Sequence, residues 1–168
     1  MNAESPGPLS AVHPRVAVVI VTYGRADLVR RCLNPLTTGE GAEHLSITVA
    51  DNCSPDHTAD MVAAEFPAVR LLRRPRNDGF ATANNDALRD VTEPYVLILN
   101  PDAETDWHVI EHLVAVLETN HEIGVIGCRL LRDDGSEDHA AKRFIPTPRD
   151  ALIYFAHRLV GRRGGRYV

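Results

Sequence analysis

Two aspartates stand directly behind short apolar segments, where a carboxylate is held by its neighbours rather than left to wander in solvent. Asp102 follows Tyr95-Val96-Leu97-Ile98-Leu99 with only Asn100 and Pro101 between, and Asp51 follows Ser46-Ile47-Thr48-Val49-Ala50. A carboxylate fixed in this way is a ligand for a hard divalent cation such as Mg²⁺ or Mn²⁺, which prefers oxygen donors. Glu104, two residues on, can assist through water. A diphosphate brought near Asp51, Asp102 and Glu104 would be repelled unless a cation stood between them, so metal dependence is expected of such a ligand. From spacing alone, capping of the next helix by Asp102 and Asp106 is an equally good reading. Asp51 opens Asp51-Asn52-Cys53-Ser54-Pro55-Asp56, in which side chains can bond the local backbone as a turn, the favoured reading for this segment by itself. Its carboxylate can also accept the imide N–H of uracil or thymine.

Other polar groups are ambiguous in the same sense. Arg73, Arg74 and Arg76 flank Pro75 and can reach a phosphate, although a run of charge is more often a solvated surface. Asn77-Asp78-Gly79 reads first as a turn. Beyond it, Phe80, Ala83, Asn84, Ala87, Leu88 and Val91 form one helical face, which places Asn84 among apolar neighbours. A buried amide needs partners, so Asn84 or Asn85 either ties down a loop or faces a ligand, with the structural role favoured. His108 and His112 are four residues apart on one helix but have no third ligand at suitable spacing, and a solvent-facing pair is expected. The sequence contains no G-x-S-x-G, no P-loop and no G-x-G-x-x-G, which argues against a serine hydrolase, a Walker-type ATPase and a dinucleotide oxidoreductase.

The elements that must position these groups alternate in type. Val16 to Val21 is a β-branched run that reads as a strand buried on both faces. Val29, Cys32, Leu33 and Leu36 then recur at helical spacing. Strands are predicted at Ser46 to Ala50, Val69 to Leu72 and Tyr95 to Leu99, separated by helices around 58–66 and 79–91. A fourth helix is predicted from about Trp107 to Glu118, capped by Asp106 or Thr105, and a last short strand near Ile123 to Ile126. This order implies an α/β fold with right-handed crossovers and a mostly parallel sheet. In such sheets ligands bind outside the carboxyl ends of the strands, and the residues just beyond each predicted strand are polar or charged.

At 168 residues and 44% hydrophobic, the chain can bury one core. Residues 1–14 read as a flexible leader rich in Pro, Gly and Ser, residues 15–138 as the folded domain, and residues 139–168 as a basic, partly helical tail. The net charge of -5 hides an asymmetry: residues 1–138 carry 11 Lys/Arg against 22 Asp/Glu, and residues 139–168 carry 7 against 1. An acidic body repels nucleic acid, so that partner is not expected. The longest apolar run, Val16 to Val21, is far short of the ~20 residues that span a bilayer, and no signal peptide is visible, so a cytoplasmic location is expected. The three cysteines lack a C-x-x-C pair and are expected to be reduced thiols.

Four segments in register, Val19-Ile20-Val21-Thr22-Tyr23, Val49-Ala50-Asp51-Asn52-Cys53-Ser54, Asn77-Asp78-Gly79-Phe80-Ala81 with Asn84-Asn85, and Leu99-Asn100-Pro101-Asp102, resemble family 2 glycosyltransferases, with the flavour of the rhamnosyltransferase-like branch. Gly124 to Gly135 and Arg143-Phe144-Ile145-Pro146 extend the likeness. The resemblance implies a GT-A fold and inverting transfer of a sugar, rhamnose among the candidates, from a dTDP- or UDP-linked donor to a glycan or lipid-linked acceptor of the cell envelope. By the same resemblance Thr22, Tyr23 and Asp51 would contact the nucleobase and ribose, and Asn77, Gly79 and Asn85 would line the nucleotide pocket. Asp102 would bind Mg²⁺ or Mn²⁺ at the end of a D-x-D equivalent whose first position is Asn100. Gly24 stands where Asn is usual, and Ala50 where a β-branched residue is usual.

Such enzymes continue with an acceptor loop and a Glu-Asp motif that supplies the general base. This chain ends at Val168 before them, and Glu137-Asp138 lies too early to serve. The resemblance therefore implies a truncated chain that binds donor without turning it over. Leu152, Phe155, Ala156, Leu159 and Val160 form an apolar stripe beside Arg149, Arg158, Arg162 and Arg163. Such a helix can lie peripherally on the inner face of an anionic membrane, although packing on the remaining half is preferred. The competing readings are a non-catalytic nucleotide-sugar-binding fragment or gene remnant and a nucleotidyltransferase. For the latter, Thr22-Tyr23-Gly24-Arg25 is too short a phosphate loop.

Overall fold

A computed structural model describes residues 15–132 and 134–138; the expected leader, the basic tail with its apolar stripe, and Arg143-Phe144-Ile145-Pro146 lie outside the described residues. β1 (Val16–Thr22) forms where the β-branched run predicts it, and all seven of its residues are buried. It pairs in parallel with β2 (Leu45–Asp51) on one side and β4 (Tyr95–Leu99) on the other. β3 (Arg70–Arg73) pairs in parallel with β2, which gives the order β3-β2-β1-β4. Because every pairing is parallel, all four carboxyl ends share one rim.

The helices are α1 (Ala26–Thr38), α2 (Thr58–Glu65), α3 (Phe80–Leu88) and α4 (Trp107–Thr119). Val16, Val18 and Ile20 meet the predicted stripe of α1 together with Met61, Val62, Ile110 and Val114 on one face of the sheet. Val19, Val21 and Ala50 meet Ala83 and Ala87 of α3 on the other. Each Val or Leu buried in this way contributes about 1.5–3 kcal/mol. The path steps from β1 to β3 with helices on the first face, then returns past β1 to β4 with α3 on the second, as right-handed crossovers require. On β4 the outward positions of that second face, Val96 and Ile98, are each 45% exposed.

α4 sets the exit of the β4 loop. Asp106 is its cap, with the carboxylate accepting from the Val109 N–H at 3.1 Å, which resolves the choice between Asp106 and Thr105. Trp107 stacks on His44, ring centroids 4.8 Å apart. Gly41 has φ +78°, and a Cβ there would lie 2.1 Å from Trp107 Cγ, so only glycine admits the indole.

The predicted strand near Ile123 to Ile126 is not formed. Gly124 separates Ile123 from Val125 and Ile126, Gly127 follows, Val125 is 90% exposed, and these residues pair with none of the described strands. The chain divides into two compact units at Gly124 and Val125. Within the second, Leu131 bridges Glu137 across a turn in which Gly135 has φ +79°. Among the described residues no helix is long and apolar enough to cross a membrane.

Candidate functional site

The loops that leave β1, β2, β3 and β4 gather on the shared rim. Thr22 is in register with Asp51, and Ile20 with Leu99, so the ends of β2 and β4 flank the end of β1. Two strand spacings separate them, about 10 Å. Strand order reverses at this place, the usual position for a ligand crevice in an open α/β sheet.

Asp51 is 4% exposed. Its Oδ2 accepts the Ser54 N–H at 3.1 Å, so the turn expected of this segment forms. Its Oδ1 is buried and has no partner among the described residues. A buried carboxylate oxygen without a donor costs more than about 1–3 kcal/mol and is rare, which marks a place where a ligand N–H would be accepted. One oxygen therefore serves the turn, and the other is left open.

The neighbouring residues tie loops together in a way that turn chemistry alone did not reveal. Gly24 N–H donates to Ser54 Oγ at 2.7 Å, and Arg25 N–H to Asp56 Oδ2 at 3.0 Å. The Asp56 carboxyl is held below its ordinary range, chiefly by the Thr58 hydroxyl and then by the backbone N–H groups of Thr58 and Arg25, against the opposing effect of its burial. Arg25 and Cys53, both at the rim, have left-handed backbones with φ of 63° and 64°. Non-glycine residues in that region are uncommon and concentrate where structure over-determines them. Ser54 and Asp56 form the local turn bonds expected of them, Ser54 N–H to Asp51 and Thr58 N–H to Asp56 Oδ1 at 3.0 Å. Ser54 Oγ and Asp56 Oδ2 also take partners 30 and 31 residues away, which the turn reading did not anticipate.

Thr22 is buried, and its hydroxyl donates to the Gly24 carbonyl at 3.0 Å; Tyr23 is 57% exposed. Asn77 and Gly79 are exposed at the β3 end of the rim, with Asn77 Oδ1 accepting from Gly79 N–H at 3.0 Å. Gly79 has φ +89°, which glycine permits, and open space where a Cβ would stand. On α3 it is Asn84 that faces inward, donating from Nδ2 to the Phe80 carbonyl at 3.0 Å while its Oδ1 stays buried without a partner among the described residues. Asn85 is exposed.

The arginines of the third loop are committed to carboxylates: Arg73 to Asp60 at 2.9 Å, Arg76 to Asp78 at 2.6 Å, and the buried Arg74 to Asp86 at 2.8 Å. Asn100 is exposed, and its carbonyl accepts from Ala103 N–H at 3.1 Å and from Cys32 Sγ at 3.7 Å. Asp102 is exposed, and no hydrogen bond or ion pair to a described residue holds its carboxylate. Its charge is felt by Arg25 and by Cys32, whose thiol is pushed up to about 12, first by burial and then by Glu104 and Asp102. Glu104 itself pairs with Arg31 at 2.5 Å. The described residues hold no group of three or more ligating side chains. A single open carboxylate fits Mg²⁺ or Mn²⁺ only in the manner of sites completed by a ligand's own phosphates and water. His108 is exposed and lies 3.8 Å from Glu40. Cys32, Cys53 and Cys128 are free thiols.

Residues 17–162 match the profile of the family described as Glycosyl transferase family 2. The chain belongs to that family. Among curated glycosyltransferase relatives, N-acetylglucosaminyl-diphospho-decaprenol L-rhamnosyltransferase of Mycobacterium tuberculosis is 29% identical over 141 residues, which cover 77% of this chain and 45% of that protein. Succinoglycan biosynthesis protein ExoO of Rhizobium meliloti is 32% identical over 90 residues, 53% of this chain and 26% of its own. The mannosyltransferase PcManGT of Pyrobaculum calidifontis, solved with GDP-Man and Mn²⁺, superposes with a TM-score of 0.63 at 27% identity, covering 77% of this chain and 40% of that one. Staphylococcus aureus TarS 1-349 matches with a TM-score of 0.57 at 21% identity over 64% of this chain and 33% of that one, a likeness of fold. The family 2 glycosyltransferase chain thus spans under half the length of these relatives, and its parallel sheet flanked by helices is the GT-A architecture that the sequence motifs imply.

Proposed function

We propose that the rim of this family 2 glycosyltransferase chain binds a nucleoside-diphosphate sugar, dTDP- or UDP-linked, for inverting transfer of the sugar, rhamnose being the leading candidate, to a glycan or lipid-linked acceptor at the inner face of the cell membrane. The observation that carries the reading is the buried, unpartnered Oδ1 of Asp51 on the same rim as the open carboxylate of Asp102. Asp51 Oδ1 accepts the imide N–H of the base while Oδ2 stays engaged with Ser54. Tyr23 offers an exposed ring for the base, and the Thr22 hydroxyl keeps a lone pair for the ribose while donating to Gly24. Asn77, Gly79 and Asn85 line the far wall. Asp102 holds Mg²⁺ or Mn²⁺, with Asn100 at the first position of the D-x-D equivalent. When bound, the cation stabilises the negative charge of the departing diphosphate. The names of relatives support the partners: one is a rhamnosyltransferase named for a decaprenol diphosphate acceptor, and one structural neighbour holds GDP-Man and Mn²⁺.

Isothermal titration of UDP, dTDP, GDP and their sugars, with and without Mn²⁺, tests the proposal. Binding of a uracil or thymine nucleotide that Mn²⁺ strengthens, with the metal's contribution lost in Asp102→Ala, is expected. Binding indifferent both to metal removal and to Asp102→Ala removes the basis for the reading, and a preference for GDP transfers Asp51 from the pyrimidine imide to another base.

A further inference from the structure

We infer that Arg74, the first residue beyond β3, is a positioning residue that locks the pocket wall in place from behind and does not touch phosphate. Its side chain is 6% exposed. Nη2 and Nε donate to Asp86 Oδ2 of α3 at 2.8 and 3.2 Å, and Nη2 also reaches Asp78 Oδ2 at 3.4 Å. Nη1 donates to Asn52 Oδ1 at 2.7 Å. One planar fork therefore joins the loop after β2, the loop after β3 and helix α3, a task for which five fixed donors suit arginine and a lysine ammonium does not.

The connection runs on to the rim. Because arginine only donates, Asn52 must present its oxygen to Arg74 and its Nδ2 to the other side, where it donates to Asn77 Oδ1 at 2.6 Å. Asn77 Oδ1 then also accepts the Gly79 N–H at 3.0 Å. Reversing either amide would set donor against donor at one end, so the guanidinium fixes the orientation of both. The main chain reinforces it, with Arg74 N–H donating to the Asp51 carbonyl at 2.9 Å and Asn52 N–H to the Thr22 carbonyl at 2.8 Å. Asn77 and Gly79, which the proposed function places against the nucleotide, thus take their positions from a buried cation two contacts away. Sites are held in productive geometry by such supporting hydrogen bonds.

This inference rests on the nucleotide reading of the rim, and its test separates the two. Arg74→Met and Arg74→Lys are compared with the wild-type chain for UDP and dTDP affinity by titration calorimetry, and for amide exchange over residues 77–83. Arg74→Lys keeps a charge beside Asp86 and guards against a variant that fails to fold. Affinity is expected to fall about tenfold in both variants, the lower end of what loss of a supporting contact costs a ligand site, with faster exchange at Gly79. Adding ~10 mM guanidinium to Arg74→Ala should recover part of the affinity, a rescue that general loss of stability would not show. Unchanged affinity in both variants beside normal wild-type binding overturns the inference and leaves the nucleotide reading intact. A wild-type chain that binds neither nucleotide overturns that reading, and with it the assignment of Arg74 to the site, even where exchange at Gly79 still quickens.

Discussion

The two sides of the rim are built differently. Around Asp51 the loops are cross-tied by Gly24 to Ser54 at 2.7 Å, Arg25 to Asp56 at 3.0 Å and Asn52 to Asn77 at 2.6 Å, and the loop after β2 is closed on itself by Ser54 to Asp51 at 3.1 Å. Around Asp102 the chain makes a short turn closed by Ala103 to Asn100 at 3.1 Å, a weak thiol contact from Cys32, and an exposed pair between Glu104 and Arg31. A surface pair of that kind contributes about 0–1 kcal/mol. The Asp51 side is therefore braced by its own loops, with one carboxylate oxygen already spent on the Ser54 N–H. The Asp102 side presents an open carboxylate that no described residue holds, which in the proposed function awaits a cation and the ligand's phosphates.

The sharpest way to break this contrast is to change the acceptor on the rigid side. Asp51→Asn is nearly isosteric, and the Ser54 N–H keeps the remaining carbonyl as its acceptor. The vacated position then carries an NH₂ donor facing the imide N–H, and affinity for UDP and dTDP should fall about hundredfold, the effect of an unpaired buried group. A relative gain for CDP, whose ring nitrogen accepts, should accompany it, and calorimetry reads both. Equal affinity for UDP in the two chains would mean that Asp51 Oδ1 does not meet the base. On the open side, Asp102→Ala should weaken binding about tenfold only when Mn²⁺ is present and should leave the melting temperature unchanged, since the group is exposed and bonds nothing described. A stability loss there would show that Asp102 is a structural cap after all.

The same contrast explains what could be read from the sequence. β4 matched its predicted limits and the stripe Val29, Cys32, Leu33, Leu36 is buried as spaced, because apolar periodicity is a local property that burial enforces directly. Asp51 and Asp102 could be set on one rim for a related reason: one closes its strand and the other stands a fixed few residues beyond. The ties between Gly24 and Ser54, and from Arg74 to Asn52 and Asp86, were not legible. They join residues 12 to 30 apart whose types suit a local turn or a solvated surface just as well, and only the fold brings them within bonding distance. The expected strand near Ile123 failed because a few apolar residues specify no partner.

A subtler probe reaches the open side from beneath, through Cys32. Its thiol is pushed up to about 12 by burial first and then by the charges of Glu104 and Asp102. In the unfolded chain it ionises near its ordinary value of 9.0, so between that pH and about 12 the unfolded state holds fewer protons than the native one. The contribution is complete below pH 9.0 and is lost as the pH rises, by about 1.4 kcal/mol per unit across the window. Urea unfolding of wild type and Cys32→Ala at several alkaline pH values reads the difference in slope. Parallel slopes would show that solvent reaches the thiol through a loose Asp102 loop.

The smallest effect compares one tie from each side. Ser54→Ala removes the acceptor of the buried Gly24 N–H and should cost about 1 kcal/mol in urea unfolding, with nucleotide affinity a fewfold weaker because the β1 and β2 loops part company. Glu104→Ala breaks the pair with Arg31, in which both side chains are at least half exposed, and should leave stability unchanged within about 0.5 kcal/mol. The two substitutions delete one hydrogen-bonding group each, so the difference between them isolates burial. Were Glu104→Ala the costlier of the two, the open side would be the braced one, and the contrast between the two sides of the rim would have to be reversed.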